Sequence, residues 1–124
     1  MASKSAAAKS IPAKRNPLNL NPLQLKTLAL LQELGRLPGH GEPGAEGTIA
    51  VRDLPDPHGD HFHLGEGVVA ARDATGLRNP AVWVVLERKG LIRSDFPQSA
   101  VLTPLGLEYD TGMRDAILHR GGGH

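Results

Sequence analysis

The sequence contains no cysteine and few aromatic residues. Without cysteine, disulfide bonds, thiolate catalysis and cysteine-bound zinc are excluded, and the composition fits a protein of the reducing cytosol. The aromatic residues are Phe62, Trp83, Phe96 and Tyr109. A surface that stacks several nucleic-acid bases on aromatic rings is therefore not expected, and the core must consist of Leu, Val, Ile and Ala.

The chain also lacks long hydrophobic runs and catalytic motifs. A membrane-spanning helix needs about 20 consecutive apolar residues, and neither such a run nor the apolar segment of a signal peptide is present. We find no phosphate-binding glycine loop, no nucleophile with an evident general base and no paired carboxylates. We therefore expect a cytoplasmic protein that contacts no membrane, is not an enzyme and requires no cofactor.

Charge is unevenly distributed along the 124 residues, although the net charge is only +1. Residues 1–32 contain five bases and no acid, and residues 67–93 contain five bases and two acids. Residues 33–66 contain two bases and seven acids. The chain is long enough for one domain, and its two basic regions are where contacts with nucleic-acid phosphates would be expected.

The strongest local pattern is NPAVWVVLERKGLIRS, residues 79–94. Asn79 is a good N-cap, and Pro80 suits the first helical position, where the missing N–H has no helical partner in any case. Gly90 favours the left-handed conformation that ends a helix, and Leu91 and Ile92 begin an extended run. The sequence therefore predicts a helix over residues 80–89 followed at once by a strand.

A second capping pattern predicts a helix from Asn21 to Gly35. Asn21 is the N-cap, Pro22 the first helical residue, and Gln24 stands at the third position of a capping box. The leucines of this helix are too numerous for one stripe. Its second apolar face would pack either against a second subunit or deeper within a monomer, and the sequence leaves both alternatives open.

The remaining segments have weaker signals. Residues 1–19 are small, polar and basic, as in a disordered tail. The other predicted elements are a loop at 36–46, a strand at 49–51, a helix at 64–75, strands at 91–93 and 100–102, a helix at 104–119 and a flexible end at 120–124.

Several consecutive segments resemble winged-helix DNA-binding proteins, especially the MarR and PadR families. The segment LERKGLI, residues 86–92, resembles the end of their recognition helix and the first wing strand. Upstream, GEGVVAARDATGLRNPAV resembles their second helix, turn and recognition-helix start; downstream, AVLTPLGLEY resembles the returning wing strand and the next helix. The resemblance runs from Gly65 to about Met113, under half of the chain.

This resemblance implies the fold. The expected class is α+β and mostly helical: a winged helix-turn-helix with a short β-hairpin wing, flanked by an N-terminal and a C-terminal helix. The domain would occupy residues 20–119, with a loop and strand insertion at 36–63, a tail at 1–19 and a flexible C-terminus at 120–124. In such a fold the short strand at 49–51 would pair with the wing.

The resemblance also implies a function, namely a small homodimeric transcriptional regulator that binds double-stranded DNA through residues 80–89 and a wing at 91–102. Two features depart from the family pattern. An outward helix face with two valines offers few hydrogen bonds to bases, and the wing carries one base only. The DNA-binding residues implied by the resemblance are Arg78, Asn79, Ala81, Val84, Val85, Arg88, Lys89 and Arg93.

A cluster of imidazoles and carboxylates, PHGDHFHLGE, precedes the predicted second helix. Alternating side chains of a turn or strand can converge on a borderline divalent metal such as zinc or nickel. The candidate ligands are His58, Asp60, His61 and His63. The alternative interpretation is a polar loop whose histidines cap the next helix or face solvent.

The valine-bearing helix face and the histidine cluster each leave an alternative function open. The first is a winged-helix module that binds a protein through the valine-bearing helix face and the acidic segment 33–66, without specific DNA readout. The second is a metal-responsive regulator in which the histidine cluster changes the angle between helices.

Overall fold

Within residues 16–55 and 59–120, which the computed structural model describes, the architecture is α+β. None of the helices in this part of the chain has both the length and the hydrophobicity needed to cross a lipid bilayer. The helices are α1 (Pro22–Gly35), α2 (Pro80–Arg88), α3 (Pro104–Glu108) and α4 (Arg114–Ile117), with 3-10 segments at Ala45–Gly47 and Ala71–Arg78. The strands are β1 (Gly41–Pro43), β2 (Ile49–Arg52), β3 (His61–Leu64), β4 (Gly67–Ala70), β5 (Ile92–Asp95), β6 (Ser99–Leu102) and β7 (Leu118–Arg120).

These strands form two antiparallel sheets, so the expectation of a mostly helical fold is wrong. Sheet A has the strand order β1-β2-β6-β5, and sheet B has the order β3-β4-β7. Part of the difference lies in residues 36–46, predicted as loop, where β1 adds an edge strand to sheet A.

Helix α1 lies at the centre of the core, and its predicted boundaries are confirmed. The Asn21 side chain accepts a hydrogen bond from the Gln24 N–H at 2.8 Å, and Gln24 Oε1 accepts one from the Asn21 N–H at 2.9 Å. The capping box is therefore complete. Every residue from Thr27 to Gly35 is buried, and the helix packs against the Ala71–Arg78 segment, sheet A and the other helices.

The burial of α1 shows what covers its two apolar faces. Leu28, Leu30, Leu31 and Leu34 each have 0% relative exposure within the single chain. Both leucine faces are therefore covered by the chain's own elements, which is the monomer alternative. A homodimer stays a prediction, but these leucines no longer support it.

Sheet A contains the strand pairing that the sequence predicts. Strand β2 pairs with β6, placing Ile49 opposite Leu102, and β6 pairs with β5, placing Leu102 opposite Ile92. The inward residues Val51, Ile92 and Leu102 are all buried. The predicted partnership between the short strand at 49–51 and the later hairpin is confirmed.

The predicted helix at 64–75 is wrong over its first half, where the chain forms the β3–β4 hairpin. Leu64 pairs with Gly67 across a two-residue turn that begins with Gly65 at φ 61°, a conformation that glycine adopts without steric cost. The β-branched residues Val68 and Val69 then continue the strand, which suits their restricted side chains. Helical structure begins only at Ala71.

The predicted helix at 104–119 begins at Pro104 as expected, but it is wrong beyond Glu108, because Tyr109 is extended (φ −62°, ψ 128°). The Asp110 side chain accepts a hydrogen bond from the Gly112 N–H at 3.1 Å, and Gly112 has φ 67°. Local side-chain bonds of this kind compete with helical ones. After the short α4, strand β7 pairs with β4.

The segment Asn16–Asn19, assigned from sequence to the tail, is joined to the body through Tyr109. The Tyr109 hydroxyl donates to Asn16 Oδ1 at 2.6 Å and accepts from the Leu18 N–H at 3.0 Å. Arg120, assigned to the flexible end, is the last residue of β7. The rest of the predicted tail and end, residues 1–15 and 121–124, lies outside the described residues.

Candidate nucleic-acid interface

Helix α2 begins and ends where its sequence predicts. Asn79 Oδ1 accepts a hydrogen bond from the Ala81 N–H at 3.0 Å, and Pro80 is the first helical residue. Gly90 has φ 80° just beyond the last turn, and β5 starts at Ile92. The helix-to-strand junction is therefore set by local capping chemistry.

The inward face of α2 fixes its position on the core. Val82, Trp83 and Leu86 are buried. Trp83 Nε1 donates a hydrogen bond to the Gly76 carbonyl at 3.1 Å, which ties α2 to the preceding 3-10 segment. The orientation of the outward face is set by this anchoring.

The outward face of α2 is a stripe of exposed residues, Ala81, Val84 and Arg88, which are three and four positions apart and so share one side of the helix. Val84 is 52% exposed. Val85 is half-buried and packs against the core, so it lies at the margin of the stripe. The stripe, hereafter the α2 stripe, is apolar except for the arginine at its C-terminal end.

The β5–β6 hairpin is held against α2 at its tip. The Phe96 ring meets the Trp83 ring edge-to-face, with centres 5.0 Å apart and planes at 82°. Glu87 Oε2 also accepts a hydrogen bond from the Ser94 N–H at 3.4 Å. Arg93 is exposed in the middle of β5. The sequence placed Phe96 only in the hairpin tip, because its ring partner follows from tertiary packing.

Each lysine and arginine whose side chain the structure describes outside residues 72–93 forms an ion pair. Such pairs neutralise charge locally and leave little attraction for a distant anion. The pairs are Lys26–Asp73 at 2.8 Å, Arg36–Glu33 at 2.6 Å, Arg52–Glu42 at 2.6 Å and Arg114–Glu33 at 2.8 Å.

Three of the arginines in residues 72–93 behave differently. Arg72, Arg88 and Arg93 are exposed, and the described residues supply no ion-pair partner for any of them. They lie on the 3-10 segment, on α2 and on β5, respectively. Arg78 is also exposed, beside the N-cap of α2. Arg72 was not among the predicted site residues, because its exposure depends on how the 3-10 segment packs.

Lys89 does not share this outward arrangement. Its ammonium group donates a hydrogen bond to the Leu18 carbonyl, and the residue is only partly exposed. The side chain therefore joins the end of α2 to the N-terminal segment. Its predicted role in binding DNA would require this bond to break.

No family model, curated protein or solved structure matches this chain. A functional interpretation therefore depends on the residues of the chain, on its strand order and on the resemblance carried by its motifs.

The predicted metal ligands are only partly brought together. His61 and His63 are exposed on β3, with ring centres 5.5 Å apart. Asp60 lies in the turn before β3 and does not line the cavity beside these rings, and His58 lies outside the described residues. The cavity has a volume of about 380 Å³ and is lined by His61, His63, Val68, Ala70 and His119.

His119 was missed from the sequence because it is far from the other histidines along the chain. The pairing of β7 with β4 places it on the same sheet as His63, whereas the sequence assigned it to a helix. No local pattern around residue 119 signals this proximity.

Proposed function

We propose that this chain is a winged-helix protein that binds double-stranded DNA, as a small transcriptional regulator would. The order of elements supports the proposal: α1, β2, the Ala71–Arg78 segment, α2 and then the β5–β6 hairpin. In sheet A the hairpin strand β6 lies between β2 and β5. This order supports an assignment of α2 as the recognition helix and of the hairpin as the wing.

The observation that carries the proposal is the distribution of unpaired positive charge. Arg72, Arg88 and Arg93 are exposed and lack ion-pair partners among the described residues, whereas the described lysine and arginine side chains outside residues 72–93 are paired. DNA affinity arises largely from neutralising phosphates with arginine and lysine and from the counterions that are thereby released. An unpaired guanidinium is available for such contacts without first breaking an ion pair.

The α2 stripe would enter the major groove. A helix with its side chains is about 10–12 Å wide, which matches the roughly 12 Å width of that groove. Ala81 and Val84 would meet thymine methyl groups, because these are the apolar features of the groove floor. Arg88 would bond to a phosphate at the edge of the groove, and Arg93 would bring the wing to the sugar-phosphate backbone.

Variants of the unpaired arginines test this assignment. In a fluorescence anisotropy assay with a labelled mixed-sequence duplex at low salt, Arg88→Ala and Arg93→Ala should each weaken binding roughly fivefold or more, equivalent to about 1 kcal/mol. Arg36→Ala is the matched control, because it removes the same charge from an arginine paired with Glu33. If all three variants bind with similar affinity, the assignment of this surface fails.

A second candidate function, protein binding through the α2 stripe, is favoured by one observation. Val84 and Leu105 are the two large hydrophobic residues exposed within the described part of the chain, at 52% and 49%. Exposed apolar side chains gain more from an apolar partner than from phosphates. The same titration separates the two functions: no binding to duplex DNA at the lowest salt rejects DNA binding and retains protein binding.

A further inference from the structure

The outer face of sheet B carries histidines from two of its strands. Along β3, Phe62 faces the core while His61 and His63 are exposed. Along β7, Leu118 packs on the core while His119 is exposed. This alternation is the two-residue period of a β-strand, and it places these imidazoles on one side of the sheet.

The register brings the histidines to one place on that face. His63 pairs with Val68 on β4, and Val68 pairs in turn with His119 on β7. Two strand spacings separate His63 from His119, a Cα separation of roughly 10 Å. His61 is two residues from His63 and pairs with Ala70. The three histidines line a cavity of about 380 Å³ together with Val68 and Ala70 of β4.

We propose that His61, His63 and His119 bind a borderline divalent cation, such as zinc or nickel, on this face. Because a zinc–nitrogen bond is about 2.0–2.1 Å long, two imidazoles that share a zinc ion have ring centres roughly 5–6 Å apart. The His61 and His63 rings are 5.5 Å apart. This separation matches the distance at which two imidazoles share one cation, once their nitrogens turn toward it.

His119 completes the site by turning toward the pair. Among the described residues, no three His, Asp, Glu or Cys side chains are placed to hold a metal ion as they stand, so a rotation is required. The structure permits it, because no hydrogen bond to a described residue holds any of the three rings. The residue between His63 and His119 is Val68, which is short enough for imidazoles to lean over it from both sides.

The donor set selects the class of cation. Imidazole nitrogens suit zinc, nickel and copper, whereas magnesium and calcium prefer oxygen ligands. Three protein ligands leave one position of a tetrahedral zinc ion for water or another small ligand. The site lies on sheet B and uses none of the residues of the proposed DNA interface, so the two proposals can fail separately.

Titration of the full chain with zinc chloride or nickel chloride by calorimetry near neutral pH tests the site. One ion should bind per chain, and His61→Gln, His63→Gln and His119→Gln should each weaken binding by at least about tenfold. His40→Gln is the matched control. His40 lies just before β1 of sheet A, where its Nδ1 is 3.2 Å from the Arg52 carbonyl oxygen. This variant should bind the metal with the affinity of the wild type.

Nuclear magnetic resonance of the histidine ring protons provides a readout that needs no variant. Addition of zinc should shift the signals of His61, His63 and His119 together and leave that of His40 in place. The proposal is overturned if neither metal binds, or if His119→Gln binds as tightly as the wild type. It is also overturned if His58→Gln or Asp60→Asn reduces the affinity for metal while His119→Gln does not, because all the ligands would then come from residues 58–63.

Discussion

The contact between Gly76 and α1 yields a prediction whose size follows from the structure. A Cβ atom added at Gly76 would lie 1.8 Å from Thr27 Oγ1 and 3.1 Å from Thr27 Cβ. Thr27 is fully buried, and its hydroxyl donates to the Leu23 carbonyl at 2.8 Å. Gly76→Ala therefore forces either the threonine hydroxyl to leave its hydrogen bond or the 3-10 segment to move away from α1.

The expected loss of stability combines two costs. Overpacking a core costs about 1–3 kcal/mol, and losing the Thr27 hydrogen bond adds roughly 1 kcal/mol. Gly76→Ala should therefore lower the free energy of unfolding by about 2–4 kcal/mol, a large part of the roughly 5–15 kcal/mol typical of a domain. The cost arises from the contact, because Gly76 does not have the positive φ that alanine disfavours.

Urea unfolding monitored by fluorescence measures this loss, and the single tryptophan, Trp83, is a buried probe close to the substitution. The control is a double-mutant cycle with Thr27→Ala, which removes the atom 1.8 Å from the new methyl group. Gly76→Ala should cost at least about 1 kcal/mol less in the Thr27→Ala background than in the wild type. Additive effects, or an unchanged midpoint for Gly76→Ala, would refute the packing described for α1.

Two further predictions concern the segments that join the core. Tyr109→Phe removes the hydroxyl that bonds to Asn16 and Leu18. We expect the free energy of unfolding in urea to fall by about 1–2 kcal/mol. An unchanged midpoint would contradict the docking of the N-terminal segment. Phe96→Ala removes the ring that packs against Trp83. We expect the free energy of unfolding to fall by about 0.5–1.5 kcal/mol from the loss of the ring pair alone, and the tryptophan emission to shift to longer wavelength. Unchanged emission would mean that the hairpin tip does not cover the indole.

Features fixed by local chemistry could be predicted from the sequence. Asn21 and Asn79 are followed by proline and cap α1 and α2 through their own side chains, and Gly90 ends the α2 region at positive φ. The buried residues of α2 have the three- and four-residue spacing of one helix face. These features depend on residues within one or two turns of each other, which is the range over which a sequence pattern is informative.

Features that depend on distant strands could not be predicted in this way. The pairing of β7 with β4 joins residues about 50 positions apart, and the apolar spacing before His119 fits a helix as well as a strand. The same ambiguity concealed β4, where Val68 and Val69 stand beside alanines. In the candidate interface, the α2 stripe could be predicted from the sequence. The hydrogen bond from Lys89 to Leu18 and the exposure of Arg72 could not, because both depend on tertiary packing.

The salt dependence of duplex DNA binding tests the proposed function most directly. The logarithm of the association constant should fall linearly with the logarithm of the salt concentration, with a slope of about −0.9 for each phosphate contact. The double variant Arg88→Ala, Arg93→Ala should make this slope shallower by roughly 1.8, because two contacts are lost. Absence of binding at low salt, or a double variant with the wild-type slope, would contradict a DNA interface formed by α2 and the wing.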